Sequence, residues 1–297
     1  VIAAASDGRL ALLCAAESAG GLVAEEMRAA GVPWNEGVHD EILTETLGAR
    51  SPAGGLPAKM VALGEQVRAI LGDATLHLDS QPKLLRALHR SGVAVESTSK
   101  WELAHYEHPV VEPLLAYKKM SRLLSANGWV WLADWVHRGR FRPVYIPGGV
   151  VTGRWASAGG GALQLPRSLR PAVRADPGWT LVVADVAQLE PRMLAAMASD
   201  AAMARAAQGT DLYAGVVDSG AVATREEAKY AVLGAMYGAT TGDSGRLVPR
   251  LRKVYPRAMA LVDAAARAGE DGGVVSTWLG RSSPKPSPEW AALQSAA

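Results

Sequence analysis

The apolar residues of this chain follow helical spacing in two long stretches that flank a shorter stretch with a different pattern. Over residues 33 to 125, and again beyond residue 197, apolar positions recur at intervals of three and four. Over residues 126 to 196, the short apolar runs Trp129–Trp131 and Val144–Ile146 stand near glycine breaks, which indicates short strands. The sequence therefore predicts an α+β fold with a helical part, a small antiparallel sheet and a second helical part.

The first 33 residues predict a hairpin-like segment followed by a helix. The segment Ala5–Cys14 contains a turn dipeptide, Asp7-Gly8, and the residues from position 10 onward are apolar. Val23 and Met27 then stand at helical spacing. We therefore expect the hairpin to end near residue 14 and the helix to end before residue 31.

A further strand is predicted from Trp179 to Ala184, because this run is apolar and contains adjacent β-branched residues. The run ends on Asp185. Helical spacing then begins, with Pro191 in the first turn, where proline is tolerated. A carboxylate at the end of a strand is well placed to hold a divalent metal ion, so Asp185 is a candidate metal ligand.

Four side chains of a second predicted helix form one stripe. After the capping residue Thr224, the stripe consists of Arg225, Lys229, Leu233 and Tyr237. Each interval of four drifts by about 40° around the helix, so the stripe is slanted. Cations at its start suit phosphates, and the apolar and aromatic residues at its end suit a sugar and a base.

The net charge of +2 is small, but the basic residues are unevenly distributed. No Asp or Glu occurs from Trp135 to Ala175. The arginines of this acid-free stretch are Arg138, Arg140, Arg142, Arg154, Arg167, Arg170 and Arg174. Solvated surfaces usually intersperse both signs of charge. The acid-free stretch therefore predicts a positive strip suited to nucleic acid, with Arg140 as one phosphate contact. A second acid-free run, Arg246–Val262, follows the stripe helix.

The sequence has no run that is apolar for long enough to cross a bilayer, and no leader with a cleavage site is recognisable. Its single cysteine, Cys14, cannot form an internal disulfide. We therefore expect a cytoplasmic protein. Because the chain begins with valine instead of methionine, we interpret it as a piece of a longer protein.

Several of these segments resemble motifs of the family A (DNA polymerase I-like) DNA polymerases, most of all the bacterial proteins that join a 3′–5′ exonuclease domain to a polymerase. Asp185–Arg192 resembles motif A, and Arg225–Gly238 resembles motif B, the nucleotide-binding helix of the fingers. Ser97–Ser99, His108-Pro109 and Tyr117-Lys118 resemble the thumb, and Thr152–Arg154 and Leu163–Pro166 resemble the primer–template segment, in the same order as in the family. Several motifs in one order are hard to meet by chance.

The resemblance implies a right-hand architecture that is incomplete at both ends. Residues 1–33 would be a remnant of the exonuclease-like domain, and residues 34–125 would form a helical thumb. Residues 126–196 would form part of the palm with motif A, and residues 197–297 would form incomplete fingers with motif B. Residues 1–33 lack the clustered carboxylates of an exonuclease, so no such activity is expected.

The resemblance also implies template-directed DNA synthesis, in which two Mg²⁺ ions assist nucleotidyl transfer from a dNTP to a primer 3′-hydroxyl. Asp185 would be catalytic and would bind Mg²⁺ together with the carbonyl of Val186. The nucleotide would be bound by Gln188, Glu190, Tyr213, Arg225, Lys229, Leu233 and Tyr237, with Glu190 as the steric gate against a ribose 2′-hydroxyl. Primer–template DNA would be bound, by a monomer, through Arg154 and Gln164, together with Arg140 of the acid-free stretch.

Two residues depart from the family pattern, and one motif has no match. Leu233 stands where the family usually has an aromatic residue against the sugar, and Tyr213 stands where it commonly has a histidine near the triphosphate. Motif C, which carries the second catalytic aspartate, is not found after Gly238. Motif C reads like His-Asp-Glu, and Val38–Glu41 contains these three residues. This match lies far upstream in a helical pattern, so we interpret Asp40 as structural. We therefore expect this chain alone to be inactive.

Two further functions fit the same residues. One is a noncatalytic DNA-binding piece whose role is contact with the duplex. The other is a single-subunit RNA polymerase, which shares the Lys…Tyr-Gly helix and tolerates a nonaromatic residue at Leu233. The sequence Gln188-Leu-Glu190 favours DNA synthesis over RNA synthesis.

Overall fold

The computed structural model describes residues 8–51, 54–238 and 242–284. The chain divides into two compact units: unit 1 comprises residues 1–19, 150–154 and 182–297, and unit 2 comprises residues 20–149 and 155–181. Within the described ranges, buried hydrophobic residues form one core cluster in unit 1 and two in unit 2. The two units are therefore described separately.

The first helix, α1 (Gly8–Ala30), takes the place of the predicted hairpin. Residues 5–7 of that prediction lie outside the described residues, and residues 8–14 are helical. The hairpin prediction was wrong here because leucine, alanine and arginine favour helix and no turn residue follows Gly8. The predicted helix through Val23 and Met27 is confirmed.

Helices build most of unit 2, as the spacing predicted. They are α2 (Glu36–Leu47), α3 (Ala58–Leu71), α4 (Gln81–Arg90), α5 (Lys100–Leu103), α6 (Val111–Asn127) and α7 (Trp129–Trp135). Their apolar faces meet in a core cluster that includes Leu43, Met60, Leu88 and Leu114. Burial of these side chains contributes about 1.5–3 kcal/mol each, so the cluster holds the helices together.

The described residues of unit 2 also form two small antiparallel sheets. The first contains β1 (Val32–Pro33), β2 (Val136–His137) and β3 (Arg140–Phe141), with β3 in the centre. The second pairs β4 (Val144–Ile146) with β5 (Ala156–Gly159). The predicted strand at Val144–Ile146 is thus confirmed.

The strand predicted at Trp129–Trp131 was wrong, because these residues open α7. The alternation is present, since both tryptophans are buried and Val130 is exposed. Packing favours a helix here: the Trp129 indole N–H donates to Asp40 Oδ1 at 2.7 Å, and the Trp131 indole N–H donates to the Gly160 carbonyl at 2.9 Å. The first of these bonds also agrees with a structural role for Asp40.

Unit 1 is helical over most of its described residues. Its helices are α8 (Leu189–Ala198), α9 (Ala201–Ala206), α10 (Leu212–Asp218), α11 (Arg225–Met236), α12 (Gly242–Val254) and α13 (Pro256–Glu270). They share a core of which Met203, Val216, Val232, Leu251 and Tyr255 are members. The predicted α+β class is confirmed. None of the helices in the described part of the chain is long and apolar enough to span a membrane.

A buried histidine in unit 2 is held between two fixed partners. His39 has no exposed surface, and its Nδ1 accepts a hydrogen bond from the Trp34 indole N–H at 3.2 Å. An indole nitrogen can only donate, so the ring proton must be on Nε2, which donates to the Asn127 carbonyl at 2.9 Å. Burial lowers the pKa of His39 below 6.5, outweighing the opposite effects of that carbonyl and of Asp40.

We expect the stability of unit 2 to fall when the pH is lowered through 6.5, the ordinary pKa of histidine. The unfolded chain binds a proton at His39 more readily than the folded chain does, so acid favours unfolding. Urea unfolding at several pH values, followed by tryptophan fluorescence, measures this effect. The slope of the unfolding free energy against pH should be smaller in His39→Gln than in the wild type. It should be unchanged in the control His77→Gln, which alters an exposed histidine of the same unit. A slope that survives in His39→Gln would assign it to other groups.

Candidate functional site

Asp185 lies in an extended segment that is not a strand. Residues 180–186 have no ladder partner among the described residues, and the Val183 side chain is 91% exposed. The predicted strand over residues 179–184 was therefore wrong in this structure, because a β-branched run becomes a strand only beside a neighbour that satisfies its backbone N–H and C=O groups. The segment still brings Asp185 to the start of α8.

The Asp185 carboxylate is exposed and forms no hydrogen bond or ion pair with any described residue. Val186, whose carbonyl was the second predicted ligand, is also exposed. No group of three or more His, Cys, Asp or Glu side chains able to hold a metal occurs within residues 8–51, 54–238 and 242–284. The donor set still suits Mg²⁺, which takes one or two carboxylates and completes its shell with water and substrate phosphates.

The Gln188 side chain is engaged inside unit 1. Gln188 has the left-handed backbone conformation (φ 49°), and its Oε1 accepts from the backbone N–H of Leu212 at 3.2 Å. It also accepts from Arg192 at 3.4 Å. Arg192 in turn donates to the carbonyls of Ala207 and of Gly209, the latter at 3.0 Å. Gln188 and Arg192 thus fasten the loop before α10 to the start of α8.

The stripe on α11 forms as predicted, and its first cation has a partner. Thr224 and Glu227 form a reciprocal capping box at the helix start. Arg225 Nε donates to Asp211 Oδ2 at 2.5 Å, and its guanidinium carbon lies 5.7 Å from the centre of the Tyr213 ring. This contact lowers the pKa of Asp211 and raises that of Arg225.

The remaining stripe residues differ in exposure. Lys229 is exposed and has no hydrogen bond or ion pair among the described residues, whereas Leu233 is half-buried. Tyr237 is 62% exposed. Tyr213 is only 6% exposed and belongs to the core of unit 1, where burial raises its pKa. Of the two cations in the stripe, Lys229 is therefore the one that has no partner among the described residues.

Three predicted residues meet in unit 1 in a way that the sequence did not indicate. The Tyr237 hydroxyl lies 2.8 and 3.0 Å from the two carboxylate oxygens of Glu190. Arg154 Nη2 donates to the same hydroxyl at 2.7 Å and forms an ion pair with Glu190. The steric-gate residue, a stripe residue and a predicted DNA contact thus form one closed cluster.

The other two predicted DNA contacts lie in unit 2. Arg140 pairs with Asp176, with Nη1 3.1 Å from Oδ1, so its charge is already balanced. This pair raises the pKa of Arg140 and lowers that of Asp176. Gln164 is exposed at the end of the 3₁₀ turn Ala162–Gln164. The acid that balances Arg140 stands one residue beyond the acid-free stretch.

Two residues that hold this site were missed by the sequence reasoning. Asp211 caps α10, since its Oδ1 accepts from the backbone N–H of Tyr213, and it also binds Arg225. An aspartate before a helix is a readable capping signal. Its pairing with Arg225, and the loop contacts of Arg192, depend on tertiary packing and have no local signal.

The chain is similar to DNA polymerases in sequence and in fold. Residues 56–287 match the family model described as DNA polymerase family A. DNA polymerase I of Chloroflexus aurantiacus is 29% identical over 246 residues, which cover 73% of this chain and 26% of that protein. The thermostable DNA polymerase I of Thermus thermophilus is 27% identical over 265 residues, covering 75% of this chain and 32% of that protein. The chain thus spans about a quarter to a third of these relatives.

The fold is also similar to that of a solved polymerase structure. It is titled the POL domain of Pol1 from M. smegmatis in complex with DNA primer-template and dNTP. The TM-score is 0.71 at 21% sequence identity, and the match covers 92% of this chain and 54% of that one.

Proposed function

Because this chain belongs to DNA polymerase family A, we propose that it is part of an enzyme that extends a primer 3′-hydroxyl with dNTPs copied from a DNA template. The observation that carries the proposal is the α11 stripe, with its capped start, its unpaired Lys229 and the Arg225–Asp211 pair. Binding of primer–template DNA and of dNTPs by this chain is part of the same proposal.

We also propose that Asp185 and the Val186 carbonyl contribute to a Mg²⁺ site. When bound, Mg²⁺ would lower the pKa of the primer hydroxyl and balance the charge of the triphosphate and its leaving group. Two-metal transfer requires a second carboxylate that is shared between the ions, and the described residues contain no group of three or more His, Cys, Asp or Glu side chains able to hold a metal. This chain by itself is therefore proposed to be inactive.

The cations of α11 would bind the triphosphate. The Asp211 carboxylate holds Arg225 through Nε, so both terminal nitrogens keep donors for phosphate oxygens. Lys229, one turn further along, would add a point charge. Leu233 and Tyr237 would lie beside the sugar and the base, and Glu190 would exclude a 2′-hydroxyl. The buried Tyr213 ring helps to position Arg225, because it lies against the Arg225 guanidinium.

The domain assignment is proposed with the same boundaries as above. Residues 1–33 would be the end of an exonuclease-like domain, 34–125 the thumb, 126–196 part of the palm and 197–297 incomplete fingers. The helices α2 to α6 support a thumb, and the helices that follow Asp200 support fingers.

Replacing Lys229 by alanine is expected to weaken nucleotide binding by roughly 10- to 100-fold, the effect of losing one charge-assisted contact. Affinity for primer–template DNA should stay within about twofold, because the contact is made to the triphosphate. Single-turnover incorporation as a function of dNTP concentration, in the polymerase that contains this chain, measures both the rate and the affinity.

Lys83→Ala is the matched control, since Lys83 is also exposed but lies on α4 in unit 2. It should change neither quantity. Unaltered rate and affinity in Lys229→Ala would contradict the assignment of α11 as the nucleotide-binding helix. If the protein that contains this chain bound DNA but did not extend a primer, the noncatalytic alternative would be favoured.

A further inference from the structure

The cluster of Arg154, Glu190 and Tyr237 joins three separate pieces of unit 1. Arg154 belongs to the short segment 150–154, Glu190 lies in the first turn of α8, and Tyr237 directly follows α11. Each of the three side chains contacts the other two. A change at any one of them is therefore transmitted to the carboxylate.

The direction of every bond in the cluster is fixed by its chemistry. An arginine can only donate, and an ionised glutamate can only accept. A tyrosine hydroxyl has one proton to give and lone pairs to receive. The Tyr237 hydroxyl must therefore accept from Arg154 and donate to Glu190, at 2.7 and 2.8 Å. Such a one-way arrangement holds the carboxylate in one orientation.

Glu190 needs this support because little else restrains it. Its side chain is 33% exposed and projects from the first turn of a helix, where a long side chain otherwise samples several rotamers. Leu233, the stripe residue four positions before Tyr237, has neither a polar atom nor a ring. The described contacts that orient the Glu190 carboxylate are the ones from Arg154 and Tyr237.

We propose that Arg154 is a positioning residue for sugar selection: by holding Glu190 and Tyr237, it sets the discrimination between deoxy- and ribonucleotides. The proposal rests on the proposed polymerase function and adds a specificity determinant to it. Arg154 does not touch the sugar in this role; it acts through the carboxylate. A primer–template contact by the same residue is the competing role.

The stability of the fold separates a positioning role from a structural one. The Arg154 side chain is 62% exposed, and exposed ion pairs contribute little to folding. Removing it should therefore leave the melting temperature of the chain almost unchanged. An exposed pair can still fix a rotamer, and a gate depends on the rotamer. Selectivity should therefore change where stability does not.

The test compares incorporation of a dNTP and the matching rNTP under single-turnover conditions in the polymerase that contains this chain. Arg154→Ala is expected to lower the ratio of their kcat/KM values on the order of tenfold, the effect of one charge-assisted hydrogen bond. Arg154→Lys should restore part of the ratio, because lysine keeps the charge but not the fork of donors. The matched control is Arg205→Ala, an exposed arginine on α9, which should leave the ratio unchanged.

The decisive comparison is the double variant Arg154→Ala/Glu190→Ala. If Arg154 acts through Glu190, the double variant has the same ratio as Glu190→Ala alone. Additive losses would overturn the proposal. So would an unchanged ratio in Arg154→Ala together with weaker binding of primer–template DNA, which would make Arg154 a DNA contact. A wild-type enzyme that cannot extend a primer overturns the proposed function itself, and the inference with it.

Discussion

Replacing Asp185 by alanine should reduce primer extension at least about a thousandfold in the polymerase that contains this chain. A metal site stabilises charge in the transition state by several kcal/mol, and about 4 kcal/mol corresponds to a thousandfold in rate. The fold should not suffer, because Asp185 is exposed and has no partner among the described residues. Single-turnover incorporation measures the rate, and thermal unfolding measures the stability.

Asp218→Ala is the matched control, because Asp218 is an exposed aspartate of the same unit, at the end of α10. It should retain full activity. Affinity for primer–template DNA should be the same in both variants, since neither carboxylate is proposed to contact the duplex. If Asp185→Ala kept more than about a tenth of the wild-type rate, Asp185 would not be the metal-binding residue.

The features that the sequence predicted correctly are those with a local cause. Helical spacing predicted α2, α3 and α11, and the capping threonine marked the start of α11 at Thr224. A β-branched residue beside an aromatic one, followed by glycines, predicted β4. In each case the residues that determine the element lie within one or two turns of each other.

The features that it missed depend on residues far apart in the chain. The run before Asp185 has the composition of a strand, but it pairs with no described segment, so it stays extended and exposed. Trp129–Trp131 alternates like a strand, but its indole N–H groups bond to Asp40 and Gly160, which favours a helix.

The same limit applies to the candidate site. The stripe on α11 follows from spacing alone, whereas the bonds from Asp211 to Arg225 and from Arg154 to Glu190 come from tertiary packing. Arg140 shows how a count of charges along the sequence can mislead. Asp176 follows immediately after the acid-free stretch, and its carboxylate pairs with Arg140. Residue types can be read from the sequence, but the charge that remains available at each of them cannot.

Asp200→Ala should destabilise unit 1 by about 4 kcal/mol. The Asp200 side chain is 2% exposed and accepts four backbone hydrogen bonds. Oδ1 binds the N–H groups of Ala202 and Met203 at the start of α9, and Oδ2 binds those of Arg257 and Ala258 at the start of α13, all at 3.0–3.1 Å. Two of these bonds are buried and two are partly buried. Each such N–H that loses its partner costs about 1 kcal/mol, and four are lost together.

The pH dependence of this contribution follows from the same bonds. Burial alone would raise the pKa of Asp200, but the four N–H donors together outweigh it, so the pKa lies below the ordinary 3.8. The stabilisation is therefore complete above about pH 3.8, the unfolded value, and is lost as the pH falls through the folded one. Hydrogen exchange of the amides at the starts of α9 and α13 measures it locally.

Asp263→Ala is the control that separates burial from charge. The pKa of Asp263 is also lowered, chiefly by its bond to Arg252, but that pair is exposed, with Nη2 2.9 Å from Oδ1. An exposed pair contributes about 0–1 kcal/mol, so this variant should be close to wild type. The stability of Asp200→Asn should lie between those of the two alanine variants. The asparagine side chain keeps one acceptor oxygen, but its NH₂ group cannot accept the other two backbone N–H bonds. Equal losses in Asp200→Ala and Asp263→Ala would mean that charge, and not the buried backbone bonds, stabilises these helix starts.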